Sequence, residues 1–191
     1  MDAVYEHNEY LIRRKVFTIA GAQFQIFDAE GRQLFYSKQK AFKLKEDIRI
    51  YSDETLGKEL LLIKSRHVVD FSAAYDVVDS QEGKKIGALR RKGFRSIFKD
   101  SWELLDVSDR PVVAVQEDSM ALALVRRFIG LIPQSFHAAL DGRTLVTYKQ
   151  RFNPFVQKLG ITIEPGAREV LDPRLIIAGG ILLVAIEGRQ G

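Results

Sequence analysis

The chain has 191 residues, a formal net charge of +4 and no cysteine. This length suffices to bury a sizeable core, and we expect one domain over residues 1–191. The absence of cysteine excludes disulfides, thiolate metal sites and thiol nucleophiles. The mild basicity permits an anionic partner, although a solvated basic face is the commoner explanation.

The first ten residues contain three acidic side chains and no apolar stretch. They therefore do not read as a signal peptide. We expect a cytoplasmic protein, either free or peripheral to a membrane.

Short runs rich in β-branched and aromatic residues recur along the chain and predict about a dozen strands. The predicted strands cover residues 16–19, 24–27, 33–37, 48–51, 59–64, 73–78, 84–89, 102–107, 112–116, 136–140, 145–148 and 159–164.

A turn signal separates these runs at regular intervals. The turns begin at Asp28, Asp53, Asp79, Asp106 and Asp141. Asp caps a tight reversal with its side chain, and Gly adopts the positive φ that many such turns need. The pattern predicts a meander of antiparallel hairpins.

Two segments depart from the strand pattern. Residues 119–130 predict a short helix with Ser119 as N-cap and Gly130 as its stop. We expect this helix to plug one end of a barrel, with a position in a membrane interface as the alternative.

The second segment is the run from Leu175 to Ile186, which has no polar side chain. Asp172 suits the N-cap and Pro173 the first helical position. The run is shorter than the roughly 20 residues that cross a bilayer, so no transmembrane segment is predicted. A helix that is apolar on all sides must be buried on all sides. The alternative is two strands joined at Gly179–Gly180.

Enclosure of this helix by the strands predicts the fold class. We expect a mainly β (α+β) protein: a closed antiparallel β-barrel of about 12 strands around an apolar C-terminal α-helix, with one additional short helix. Gly179 and Gly180 would let the barrel side chains approach the helix backbone.

Several segments carry a family resemblance. The stretches 10–19, 24–31, 38–50, 87–100 and 172–186 resemble the LURP-one-related family of the tubby C-terminal-like and phospholipid scramblase superfamily. The resemblance implies the closed barrel with its terminal helix and implies no catalytic residue. Tubby domains bind phosphoinositides, and scramblases act at membranes. The cysteine cluster and acidic calcium-binding stretch of the scramblases are lacking, so we carry over neither scramblase activity nor calcium binding.

The densest basic cluster lies in residues 84–95. It comprises Lys84, Lys85, Arg90, Arg91, Lys92 and Arg95, with no acidic residue among them. Basic side chains beside exposed aromatic ones suit an anionic membrane surface, whereas the outer face of an ordinary strand is the alternative. The groups Arg13–Lys15 and Lys38, Lys40, Lys43 and Lys45 are more diffuse.

No enzyme motif is present. The three histidines lack metal-ligand spacing, and the chain has neither a nucleophile elbow nor a glycine-rich phosphate loop. We expect no catalytic residue, metal or cofactor, and nucleic acid is a poor candidate partner at this net charge. The expected function is peripheral binding of anionic phospholipid or phosphoinositide head groups through Lys84–Arg95. The alternative is a structural or protein-interaction scaffold that binds no lipid.

Overall fold

The computed structural model describes residues 2–17, 21–39, 47–66, 74–92, 101–117, 134–151, 153 and 156–186. Twelve strands and one α-helix form its framework, with short 3-10 turns at Ala3–Tyr5 and Ala167–Glu169. The strands are β1 (Glu9–Phe17), β2 (Gly21–Phe27), β3 (Gln33–Gln39), β4 (Ile48–Tyr51), β5 (Glu59–Ser65), β6 (Ala74–Asp79), β7 (Lys84–Arg91), β8 (Ser101–Leu105), β9 (Pro111–Glu117), β10 (Ser135–Leu140), β11 (Arg143–Arg151) and β12 (Gln157–Ile163).

These strands close into an antiparallel barrel in which each pairs with its neighbours along the chain. The barrel closes where β1 pairs with β12, with Tyr10 opposite Ile161 and Arg13 opposite Lys158. The predicted fold class, a barrel of about 12 strands around an apolar helix, is confirmed. The additional helix predicted over residues 119–130 lies outside the described residues.

All five predicted turns lie at one end of the barrel, which we call the turn end, because β1 starts there and successive strands alternate in direction. Asp side chains cap four of them: Asp28, Asp53, Asp79 and Asp106 each accept a hydrogen bond from a main-chain amide two or more residues later. Gly31, Gly83 and Gly142 adopt positive φ as expected. In the second turn Leu56 takes the positive φ (61°), instead of the adjacent glycine.

The helix α1 (Pro173–Ile186) runs inside the barrel and is buried at every position except Arg174. The predicted helix is therefore confirmed, and the alternative of two strands joined at Gly179–Gly180 is excluded. The Asp172 carboxylate accepts a hydrogen bond from the Arg174 amide at 2.9 Å, which is the expected N-cap. Among the described residues, no helix has both the length and the apolarity needed to cross a bilayer.

Glycine in α1 permits close contact with opposite walls of the barrel. A Cβ at Gly179 would lie 3.3 Å from Cδ2 of Leu89 on β7, and one at Gly180 would lie 2.9 Å from Cδ1 of Ile12 on β1, across the barrel. The Tyr148 hydroxyl donates to the Ile176 carbonyl at 3.0 Å. Both glycines therefore have the packing role that the sequence predicts.

Polar contacts fix the two ends of α1. At the turn end, the Arg174 guanidinium lies 2.6 Å from the Asp79 carboxylate on β6. At the opposite end, which we call the far end, buried Arg14 donates to the Val184 carbonyl at 3.0 Å and to Gln157 at 2.9 Å. A cation at a helix C-terminus complements the helix dipole.

Candidate functional site

Five of the six predicted basic residues lie on or beside β7, but at its two ends. Lys84 and Lys85 begin the strand at the turn end, whereas Arg90 and Arg91 finish it at the far end and Lys92 follows. A strand rises about 3.3 Å per residue, so Lys84 and Arg91 are about 23 Å apart along the strand. Arg95 lies outside the described residues. The cluster that looks continuous in sequence is therefore divided between two ends of the molecule.

Lys85 belongs to a compact ion network on the outer surface. Its Nζ lies 2.7 Å from an Asp109 oxygen and 3.2 Å from an Asp76 oxygen, and Arg66 binds the same two carboxylates. Hydrogen bonds from Arg66 are the main cause of the lowered pKa of both aspartates. Two cations thus meet two carboxylates that stay ionised, so the network contributes no local excess of positive charge.

Arg90 and Lys92 share one acidic partner at the far end. Glu103 is 7% exposed and lies 2.7 Å from Arg90 Nη2 and 2.6 Å from Lys92 Nζ. Burial acts to raise the pKa of Glu103, but the bonds from Lys92 and Arg90 outweigh it and lower the pKa below its usual value. At the other end of β7, exposed Lys84 pairs with Glu82 at 3.1 Å. Much of the charge on β7 is therefore compensated.

A second basic surface is assembled from strands that are distant in sequence. We call it the β1 face, and it is formed by the outward side chains of Arg13, Lys15, Lys38, Lys149, Arg151 and Lys158. In one row across the sheet, Arg13 lies opposite Lys158, which lies opposite Arg151. In the next row, Gln23 separates Lys15 from Lys38. Neighbouring strands are about 4.8 Å apart, so the face spans roughly 19 Å from β3 to β11.

The β1 face is nearly free of acidic residues. The sequences of β1, β2, β3, β11 and β12 contain one carboxylate, Glu9, at the turn end of β1. Glu54 borders the face on the side of the turn end, where its carboxylate accepts a hydrogen bond from Gln25 at 2.8 Å. Within the described part of the chain, the six cations of the face form no ion pair. The four exposed members, Lys15, Lys38, Lys149 and Arg151, direct their charge to solvent.

Local packing orients some of these side chains. The Arg13 guanidinium lies over the Phe27 ring, 4.5 Å from its centroid. Arg151 folds across Gly160, where a Cβ would come within 3.4 Å of its Nε. Lys15, Lys38, Lys149 and Arg151 are exposed, and Arg13 and Lys158 are half-buried.

The sequence contains a signal for the β1 face that a search for continuous basic runs does not detect. Arg13 and Lys15 on β1, and Lys149 and Arg151 on β11, are spaced two residues apart. Residues at that spacing lie on one side of a strand. The sequence does not reveal that β12 lies between β1 and β11 in the barrel. This strand order brings the basic residues of β1 and β11 onto one surface.

The structure also groups three side chains of metal-binding type. Potential ligand atoms of His7, Asp28 and Glu30 lie within 4.8 Å of one another. However, Arg32 already binds both carboxylates, with its Nε 2.6 Å from Asp28 and its Nη2 3.2 Å from Glu30. Burial acts to raise the pKa of Asp28, but the hydrogen bonds from the Arg32 amide and guanidinium overcome it and lower the pKa. The arrangement serves as a capped turn between β2 and β3.

Comparison with known proteins gives a family and a fold. The family model described as LURP-one-related matches residues 34–184. The X-ray structure of a protein from Arabidopsis thaliana is similar with a TM-score of 0.52 and 12% sequence identity, over 95% of this chain and 93% of that chain. No curated protein matches the sequence.

Proposed function

The chain belongs to the LURP-one-related family, and we propose that it is a non-enzymatic, cytoplasmic module that binds anionic phospholipid head groups at a membrane surface. The observation that carries this proposal is the separation of exposed charge between the two ends of the barrel. The expected contact is electrostatic and peripheral, because the basic side chains lie on the outside of a closed barrel.

The turn end is acidic. Its hairpin turns and their borders carry Asp28, Glu30, Asp53, Glu54, Asp79, Glu82, Asp106, Asp109 and Asp141. Several cations at this end have acidic partners: Arg32 pairs with Asp28, Lys84 with Glu82, and Arg110 with Asp106. An anionic surface would be repelled from this end.

The described part of the far end is basic. Exposed or half-buried cations there include Lys15, Lys38, Arg91, Lys92, Arg151 and Lys158. Among the described residues, the carboxylates at this end are Asp47, Glu103 and Glu117, and the last two are buried. Each lysine or arginine near an anionic membrane contributes about 1 kcal/mol to binding. A net charge of +4 is compatible with such binding, because the described part of this end carries more exposed cations than exposed carboxylates.

The occupied barrel axis supports a binding module over an enzyme. Helix α1 contacts opposite walls through Gly179 and Gly180, and Tyr148 donates to its backbone. A small-molecule enzyme usually places convergent polar groups in a deep pocket. Here the barrel interior is used for packing, its buried Arg14 binds the end of α1, and most charged groups lie outside.

Co-sedimentation with vesicles tests the proposal. We expect the protein to pellet with vesicles that contain phosphatidylserine or a phosphoinositide, to remain in the supernatant with pure phosphatidylcholine, and to bind less as salt rises, because salt screens exposed charges. Equal binding to neutral vesicles would contradict an electrostatic contact. No binding to any vesicle at low salt would contradict the proposal and favour a protein-interaction scaffold.

A further inference from the structure

We propose that the β1 face, and not the basic residues of β7, is the surface that contacts phospholipid head groups. This inference rests on the proposed function, and it assigns that function to residues that lie far apart in sequence. Its residues come from β1, β3, β11 and β12.

The first argument is the availability of charge. A cation that already has a carboxylate partner exchanges one partner for another when it meets a phosphate, so the net gain is small. Lys85, Arg90 and Lys92 on or beside β7 have such partners. The six cations of the β1 face have no ion pair among the described residues, so their attraction to phosphate is not offset in this way.

The second argument is the arrangement of the charges in two dimensions. The row Arg13, Lys158 and Arg151 crosses three adjacent strands, and Lys15 and Lys38 lie in the neighbouring row. Rows of outward side chains are about 7 Å apart along a strand, and strands are about 4.8 Å apart. Phosphates in a bilayer form a two-dimensional layer, which such a grid can contact at several points together. A single strand such as β7 offers one line of side chains.

The third argument is the chemistry around the cations. A glutamine on β2 occupies the position between two of them, with Gln23 opposite both Lys15 and Lys38. Amide groups donate hydrogen bonds to phosphate oxygens and add no repulsive charge. Arg13 keeps its guanidinium over Phe27, which holds it against the sheet and limits the entropy lost on binding. The face thus has the hydrogen-bond donors and the charge for an array of phosphates.

A matched pair of triple variants tests the inference. The first, the face variant, combines Lys15→Gln, Lys149→Gln and Lys158→Gln. The second, the control variant, combines Lys58→Gln, Lys84→Gln and Arg110→Gln at the turn end. Both lower the formal charge from +4 to +1, and the three control side chains are exposed. Thermal unfolding by circular dichroism checks that both variants remain folded.

Binding is measured with vesicles of phosphatidylcholine containing phosphatidylserine, at low and at physiological salt. With about 1 kcal/mol per cation near the membrane, we expect the face variant to lose about 100-fold in partition coefficient, and the control variant to lose less than about fivefold. Equal losses in the two variants would show that only net charge matters and would overturn the assignment to the β1 face.

Two further outcomes separate the inference from the proposed function. If the wild-type protein binds anionic vesicles and the face variant binds equally well, the β1 face is not the contact, but the lipid-binding function stands. If the wild-type protein binds no vesicle, the proposed function itself fails. A single-stranded oligonucleotide provides a competing ligand. If it binds tightly, displaces the protein from vesicles and requires the same three lysines, the face binds nucleic acid instead.

Discussion

At the scale of single residues, the turns show where the chain accepts conformational strain. Leu56 has a φ of 61°, a region that residues with a Cβ rarely adopt, and 40% of its surface is exposed. The turn is held by Asp53, whose carboxylate accepts a hydrogen bond from the Thr55 amide at 2.8 Å. Leu56 therefore gains little from packing that would offset its backbone energy.

We expect Leu56→Asn to stabilise the protein, because asparagine tolerates the left-handed region and leucine loses roughly 1 kcal/mol there. For a chain of this size, about 1 kcal/mol raises the melting temperature by about 2–4 °C. Thermal unfolding followed by circular dichroism provides the measurement. Val107→Asn is the control, because Val107 is an exposed turn residue that does not adopt a positive φ. If Leu56→Asn leaves the melting temperature unchanged or lowers it, Leu56 carries no backbone strain that asparagine relieves.

At the scale of secondary structure, α1 is the hydrophobic core of the barrel. Ile176, Ile177 and Ile181 are fully buried, and they pack with inward side chains such as Ile12 and Phe24. Without α1, the inward faces of the strands would enclose no apolar partner. The helix therefore stabilises the strands as much as they stabilise the helix.

Ile181→Asp is expected to prevent cooperative folding, because an unpaired carboxylate in this core costs several kcal/mol. Ile181→Val removes one methylene group and is expected to cost only about 1 kcal/mol. Deletion from Asp172 onward should leave an insoluble or non-cooperative chain. Urea unfolding monitored by Trp102 fluorescence distinguishes the three. A soluble truncated chain with a cooperative transition would contradict the role of α1 as the core.

The elements also show what the sequence could and could not predict. Asp caps, glycine turns and the Asp172–Pro173 helix start are local signals, so the five hairpins and α1 were predictable from their own residues. Pairing between β1 and β12 joins residues about 150 positions apart, and no local signal reports it. For that reason the sequence analysis selected Lys84–Arg95, a cluster that is continuous in sequence. It gave less weight to Arg13 and Lys15, which gain their basic neighbours only when the barrel closes.

At the scale of the whole molecule, the described residues distribute their charge unevenly along the barrel. Acidic turns lie at one end, and the cations of the far end and the β1 face lie away from them. Under the proposed function, we expect such a distribution to orient the protein toward an anionic surface and to strengthen binding beyond what its net charge implies.

Cation-exchange chromatography tests this distribution without any lipid. The face variant and the control variant have the same formal charge, so a uniform distribution predicts the same elution salt for both. We expect the face variant to elute at clearly lower salt, because the resin contacts the protein through its most basic face, and exposed charges are felt over about 10 Å at 0.1 M salt. Coincident elution would contradict a concentrated basic face.

The closure of the barrel between β1 and β12 also sets an order of events during synthesis. β1 leaves the ribosome first, but one of its two neighbours and the helix that fills the barrel are made last. The hairpins can form as they emerge, whereas the final seam must await nearly the entire chain. Contacts of such long sequence separation make folding slow. Until that seam and α1 are in place, strands that have already paired would leave their apolar inward face uncovered, so we expect the chain to be most prone to aggregation before its last residues are made.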